Sequence, residues 1–149
     1  MANILLIEDH RENQKLIVYL LEQFGHRVRA TDTGEQGLEA ALGEEFDLII
    51  CDIHLPGIDG YEVARRLKSN LRWRPVPLIA VTALAMVGDR DKVLMSGFEG
   101  YLSKPITPQT FTQQIESFLT STESTRSNRA KAVDESDERR TATDKIEEI

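Results

Sequence analysis

The chain is predicted to be an α/β protein, a doubly wound parallel sheet of five strands, each followed by a helix. Three observations carry that expectation. Short apolar runs recur along the chain, NILLI at 3–7, LIIC at 48–51 and LIAV at 78–81, each of strand length. Segments with helical spacing of apolar residues lie between them. Each run also ends abruptly in polar residues: Glu8 and Asp9, Asp52, and Thr82. Strands alternating with helices imply a parallel sheet covered on both faces, and right-handed crossovers leave few topologies.

Each element has its own justification. Asn3–Ile7 is a strand buried on both faces. Arg11–Phe24 spaces Leu16, Ile17, Leu20, Leu21 and Phe24 on a helical period, and Gly25 stops it. Arg27–Ala30 alternates in polarity, as a strand nearer an edge does. Thr33 is an N-cap for a helix to Glu45 whose apolar face is Leu38, Ala41 and Leu42. Leu48–Cys51 is the third strand. Asp59 caps a helix from Gly60 to about Asn70, with Val63, Ala64 and Leu67 inward. Pro75 and Pro77 mark a loop before the strand Leu78–Val81. Met86–Ser96 is a weak helix, poor in apolar residues, that ends at Gly97. Tyr101–Ser103 is a short last strand, ending at Lys104-Pro105. Pro108–Thr120 is the last helix, on Phe111, Ile115, Phe118 and Leu119.

Composition narrows the function. The chain has 149 residues, 40% hydrophobic, enough for one globular domain. A net charge of −7 argues against sequence-independent binding to nucleic acid or an anionic membrane. The single Cys51 allows no internal disulfide and reads as a buried reduced thiol. His10, His26 and His54 have no zinc-like spacing. The apolar N-terminus is too short for a signal peptide, and no run reaches membrane-spanning length, so a cytoplasmic protein is the expectation. Two regions follow: a domain at 1–120 and a tail at 121–149. The tail holds 8 acids and 6 bases with no aromatic residue, so it reads as disordered or partly helical.

In a parallel sheet all strand C-termini share one edge. Glu8, Asp9, Asp52, Thr82 and Lys104 therefore converge there, although nearly a hundred residues separate the first from the last. Crowded carboxylates either raise a pKa or hold a cation, and hard oxygen ligands suit magnesium or manganese. Lys104 adds a point charge and Thr82 a hydroxyl. Together these groups make a site for a phosphoryl group, for which a carboxylate can itself be the acceptor. Taken singly, Asp52 could cap a turn, Lys104 could pair with Asp52, and Thr82 could cap a helix. Five at strand ends outweigh those readings.

The motifs ILLIEDH, DLIICDIHLPGIDGYE, LIAVTALA and GFEGYLSKPI together resemble the receiver domain of two-component response regulators, the CheY-like family, over residues 3–120. The resemblance implies the flavodoxin-like strand order 2-1-3-4-5. It implies that Asp52 accepts a phosphoryl group from a histidine kinase or a histidine phosphotransfer protein. Glu8, Asp9, Asp52 and the backbone carbonyl of His54 would hold magnesium. Thr82 and Lys104 would contact the phosphoryl oxygens, Tyr101 would be the switch aromatic, and Lys104-Pro105 would be a cis peptide. The protein would catalyse only its own phosphorylation and dephosphorylation, so it is not an enzyme in the ordinary sense. With no effector domain after Thr120, it is similar in layout to single-domain regulators of the DivK type and to phosphorelay receivers. It would be a monomer, or a dimer formed on phosphorylation. Its output surface would run over Met86–Ser96, Tyr101 and Pro108–Thr120, and its kinase-facing surface over Arg11, Asn13 and Leu16. Leu84 and His54 occupy positions that tune hydrolysis in the family: a bulky Leu84 would hinder an attacking water and favour a long-lived phosphoaspartate, whereas His54 would either orient water and act the other way or simply be solvated.

Three rivals are weaker. A dehalogenase-like phosphatase would carry its nucleophile on the first strand in a DxDx[TV] motif, whereas Asp52-Ile53-His54 follows the third. A flavin carrier would need a phosphate-cradling loop after the first strand, where Glu8-Asp9 would repel a phosphate. A receiver that binds partners without phosphorylation would not require the full set of acids, threonine and lysine.

Overall fold

The structure is a computed structural model that describes residues 2–83 and 87–119, with the side chains of 87–89 left aside. The chain runs β1 (Asn3–Ile7), α1 (Arg11–Gln23), β2 (Arg27–Thr31), α2 (Gly34–Gly43), β3 (Leu48–Asp52), α3 (Gly60–Lys68), β4 (Leu78–Thr82), α4 (Val87–Met95), β5 (Gly100–Ser103) and a last helix, α5, at 108–119. The five strands form one parallel sheet in the order β2-β1-β3-β4-β5. This is the predicted α/β architecture and strand order. β2 is an edge strand, as its alternating polarity indicated.

Strand alternation divides the core in two. Ile4 and Leu6 of β1, Leu48 and Ile50 of β3, Ile79 and Val81 of β4, and Leu102 of β5 pack beneath α1 and α5. Leu5 and Ile7, Ile49 and Cys51, and Leu78 and Ala80 pack on the other face with α2, α3 and α4. All five residues of β3 and of β4 are buried, which is why those runs are apolar up to the polar residue that ends each, Asp52 and Thr82.

The caps form where the residues required them. The Thr33 side chain accepts a hydrogen bond from the Gln36 N–H, and the Asp59 carboxylate accepts one from the Glu62 N–H. Gly25 and Gly97 take positive φ, at +84° and +111°, just beyond α1 and α4. Two assignments of apolar face need correction. Phe24 is 55% exposed because α1 ends one residue earlier and Phe24 is its C-cap. Leu42 is 68% exposed because α2 meets the sheet through small residues: Gly37 lies against Ile7, and Ala40 and Ala41 fill the contact. The proline-marked loop also holds an unanticipated anchor. Trp73 is buried there, its ring tilted against Phe46 at 6.3 Å between centroids.

The weak helix is weakly held. Of the described side chains of α4, Val93 alone is buried. Leu94 and Met95 are exposed. The tail assigned to 121–149, Leu84, and the ends of two predicted helices at Met86 and Thr120 lie outside the described residues.

Gly60 positions the end of β3. Its N–H donates to the Ile53 carbonyl at 2.8 Å. A Cβ at this position would stand 2.5 Å from the Asp52 carbonyl oxygen and 2.7 Å from the Ile53 Cα. Those neighbours are backbone and cannot rotate away. Gly60→Ala is expected to destabilise the fold by about 1–3 kcal/mol, measured by urea unfolding.

Candidate functional site

The register fixes which strand ends are level. Ile7 pairs with Cys51, so Glu8 and Asp52 follow side by side. Asp52 pairs with Val81, and Thr82 with Ser103, so Lys104 comes one step beyond. Alternation then sorts the side chains. Counted from Leu6, Ile50 and Leu102, the residues Glu8, Asp52 and Lys104 fall on one side of the sheet. Counted from Ala80, Thr82 falls on the other, as does Tyr101, which packs against that second core.

Glu8 has no exposed surface and Asp52 is 3% exposed, whereas Asp9 is exposed. Each of these three acids offers an oxygen within 4.8 Å of the others. Lys104 Nζ donates to Asp52 Oδ2 at 3.0 Å and lies 3.3 Å from Glu8 Oε1. Asp52 Oδ1 accepts from the His54 N–H at 3.1 Å, and Glu8 Oε2 accepts from the His10 N–H at 3.0 Å. Glu8 Oε1 is buried with no hydrogen-bond partner among the described residues.

The charges do not balance. Burial pushes the Glu8 carboxyl up to about 7, and the neighbouring Asp52 adds to the rise; the His10 N–H and Lys104 oppose it. Burial works against the Lys104 charge too, but the two carboxylates outweigh it and hold the ammonium above its ordinary value. Two buried acids thus share one lysine, with the exposed Asp9 close to both. A buried oxygen with no hydrogen bond, held only by an ionic contact to the shared lysine within a cluster of hard oxygen donors, fits a divalent cation such as magnesium, which would supply the missing positive charge.

The other expected residues take these positions. Thr82 is 3% exposed at the end of β4, and its carbonyl accepts from the Lys104 N–H at 2.8 Å. His54 is exposed, and its N–H is bound to Asp52. The Lys104-Pro105 peptide is cis. Arg11 is exposed on α1, with Asn13 and Leu16 half-buried. Burial also raises the Cys51 thiol far above its ordinary range, which keeps it protonated. Two contributors went unrecognised in the sequence. Gln14 Nε2 donates to the Glu8 carbonyl at 3.0 Å and to Asp32 Oδ1 at 2.8 Å, tying α1 to the end of β1. Arg90 Nε donates to the Tyr101 hydroxyl at 2.7 Å. An isolated glutamine or arginine on a helix carries no motif, so only the fold reveals these contacts.

Buried acids at the C-terminal edge of an open parallel sheet, beside a lysine from the last strand's end, define a receiver-type signalling domain. Residues 4–116 match the family model of the response regulator receiver domain, and the chain belongs to that family. It is 39% identical over 117 residues to the polar-differentiation response regulator DivK of Brucella ovis, covering 78% of this chain and 95% of that protein. Among solved structures, it resembles the receiver domain of a sensor histidine kinase from Pseudomonas aeruginosa, which has a magnesium ion coordinated in its active-site cleft. That match has 34% identity and a TM-score of 0.74, over 80% of this chain and 98% of the other. A CheY-like response regulator receiver domain protein from Methanospirillum hungatei matches at 26% identity and a TM-score of 0.76, over 83% of this chain and 98% of the other.

The raised Glu8 pKa has a defined sign. The unfolded chain ionises Glu8 near 4.5, whereas the folded protein keeps its proton until about 7. The folded state therefore binds more protons between these values, and its stability falls as pH rises through that window. In chelator, stability should decline from pH 5 to pH 7.5 by up to about 3 kcal/mol. Glu8→Gln should flatten that slope, as followed by urea unfolding across pH.

Proposed function

We propose that this protein is a phospho-accepting response regulator in which Asp52 receives a phosphoryl group from a histidine kinase or a histidine phosphotransfer protein. The buried Asp52, bound by Lys104 and standing beside the orphaned Glu8 oxygen, is the observation that carries this reading. Glu8, Asp9 and Asp52, with the His54 carbonyl, would hold magnesium, which neutralises phosphoryl charge when bound.

The residues divide the work. An Asp52 carboxylate oxygen attacks phosphorus and forms the O–P bond. The bond from phosphorus to the donor's imidazole nitrogen breaks, and its electron pair leaves with the imidazole. Lys104 passes from the carboxylate to the phosphoryl oxygens and offsets their charge. Thr82 donates its hydroxyl to another of those oxygens. The new group adds roughly −1.5 to −2 charge at the edge of the sheet. Thr82 and Tyr101 occupy the same face on adjacent strands, with Ala80 paired to Tyr101 and Thr82 to Ser103. Movement of the threonine is thereby felt at the tyrosine. A groove of about 750 Å³ beside Tyr101, lined by Leu94, Ile106, Phe111 and Phe118 among others, supplies the output surface on α4, β5 and α5.

The working domain is residues 1–120, with 121–149 as an appendage. Among the described residues no helix is long and apolar enough to cross a membrane, which accords with a cytoplasmic relay. The domain's chemistry is confined to its own phosphorylation and dephosphorylation. A bulky Leu84, two residues after Thr82 in the sequence, would slow hydrolysis.

Acetyl phosphate and magnesium test the acceptor directly. Intact mass should show one added phosphate on the wild-type protein and none on Asp52→Asn or in chelator. Unlabelled wild-type protein would overturn the reading in favour of constitutive partner binding. Magnesium affinity should also fall about tenfold from pH 8 to pH 6, because the Glu8 proton competes with the cation. Calorimetric titration at the two pH values measures this.

A further inference from the structure

α4 lies on the same face of the sheet as Thr82 and Tyr101, and among its described side chains little apolar burial holds it there. Val93 is buried in the second core, while Arg90, Asp91, Lys92, Leu94 and Met95 are exposed. Two cation–aromatic contacts supplement that anchor. Lys92 Nζ stands 4.5 Å from the centre of the Tyr61 ring at the start of α3. The Arg90 guanidinium stands 5.5 Å from the centre of the Tyr101 ring, and its Nε donates to the Tyr101 hydroxyl at 2.7 Å. Such contacts are worth little one by one, but they weigh more where Val93 alone is buried among the described side chains of the helix.

The two contacts differ in what they reach. Tyr61 belongs to the first turn of α3. Tyr101 is three residues before Lys104 on the strand that ends at the site, and it shares a face with Thr82. A rearrangement that pulls Tyr101 away from solvent must therefore break the Arg90 bond first. One that frees α4 must break it too.

We propose that Arg90 is a positioning residue that latches Tyr101 and α4 in the unphosphorylated arrangement and so sets how readily the site accepts a phosphoryl group. This rests on the phospho-acceptor reading. Linkage is reciprocal: whatever holds α4 and Tyr101 in the resting arrangement weakens binding at the site by the same factor. Releasing the latch must then tighten binding of a phosphoryl mimic at a residue that touches neither the acids nor Lys104.

The probe is beryllium fluoride with saturating magnesium, titrated into the full chain. Arg90→Met keeps the aliphatic stem but loses the charge and the donor. It is expected to bind the mimic about three- to tenfold more tightly than wild type, with magnesium affinity alone unchanged. Tyr101→Phe keeps the ring and loses the hydroxyl, so it should tighten binding less. The double variant should fall short of the sum, since both changes remove one contact. Amide exchange in residues 90–95 should quicken in Arg90→Met without the mimic. Lys92→Met should quicken the same exchange while changing mimic affinity less than Arg90→Met. Equal mimic affinity in Arg90→Met and wild type, both folded, would overturn the latch. Failure of wild type to bind the mimic would instead remove the phospho-acceptor reading on which the latch rests.

Discussion

Two carboxylates side by side at the buried edge of a sheet, with one lysine to serve both, are the constraint from which the rest of this site follows. A charge that leaves water needs a partner, and the pair Glu8 and Asp52 has only half of what it needs. The fold meets the shortfall partly with backbone: His10 and His54 each turn an N–H onto one of the acids. It also lets Glu8 keep its proton to near neutrality. What remains is an attraction for positive charge and a poor tolerance of negative charge. A phosphoryl group arriving without a cation would meet repulsion; arriving with one, it completes a balance the protein alone leaves open. The residues that make the apoprotein less stable at neutral pH are those that make the site receptive.

The two faces of the sheet divide the labour. Glu8, Asp52 and Lys104 fall on the side of α1 and α5, Thr82 and Tyr101 on the side of α2, α3 and α4. On the proposed reading, the acceptor Asp52 would lie on the firmly packed face, where Phe111, Ile115 and Leu119 seat α5. The proposed response would lie on the face that carries α4. Alternation of side chains along a strand is enough to produce this division. One residue passes from the ligand side to the signalling side without any change of backbone path.

Much of this was legible in the sequence for a physical reason. A strand buried on both faces must be apolar throughout, so β1, β3 and β4 announce themselves, and the polar residues that end them mark the sheet edge. Caps at Thr33 and Asp59 were legible because few residue types satisfy an exposed helix N–H. Phe24 and Leu42 were misassigned because helical spacing cannot report where a helix stops or how closely it approaches. α2 draws near β1 through glycine and alanine, and that closeness turns Leu42 outward. Trp73 was missed because a loop has no period. Gln14 and Arg90 were missed because a polar side chain's partner is settled by tertiary placement, not by spacing.

Parallel topology has one more consequence. The site draws on the ends of β1, β3, β4 and β5, and every neighbouring pair in this sheet is parallel, so none is closed by a hairpin. No portion that stops short of β5 can assemble it: a nascent chain still lacking Lys104 has acids without their cation and a sheet without its last edge. Assembly of the site therefore requires every strand of the sheet to be made and folded. A cell reading its output is spared messages from half-made copies.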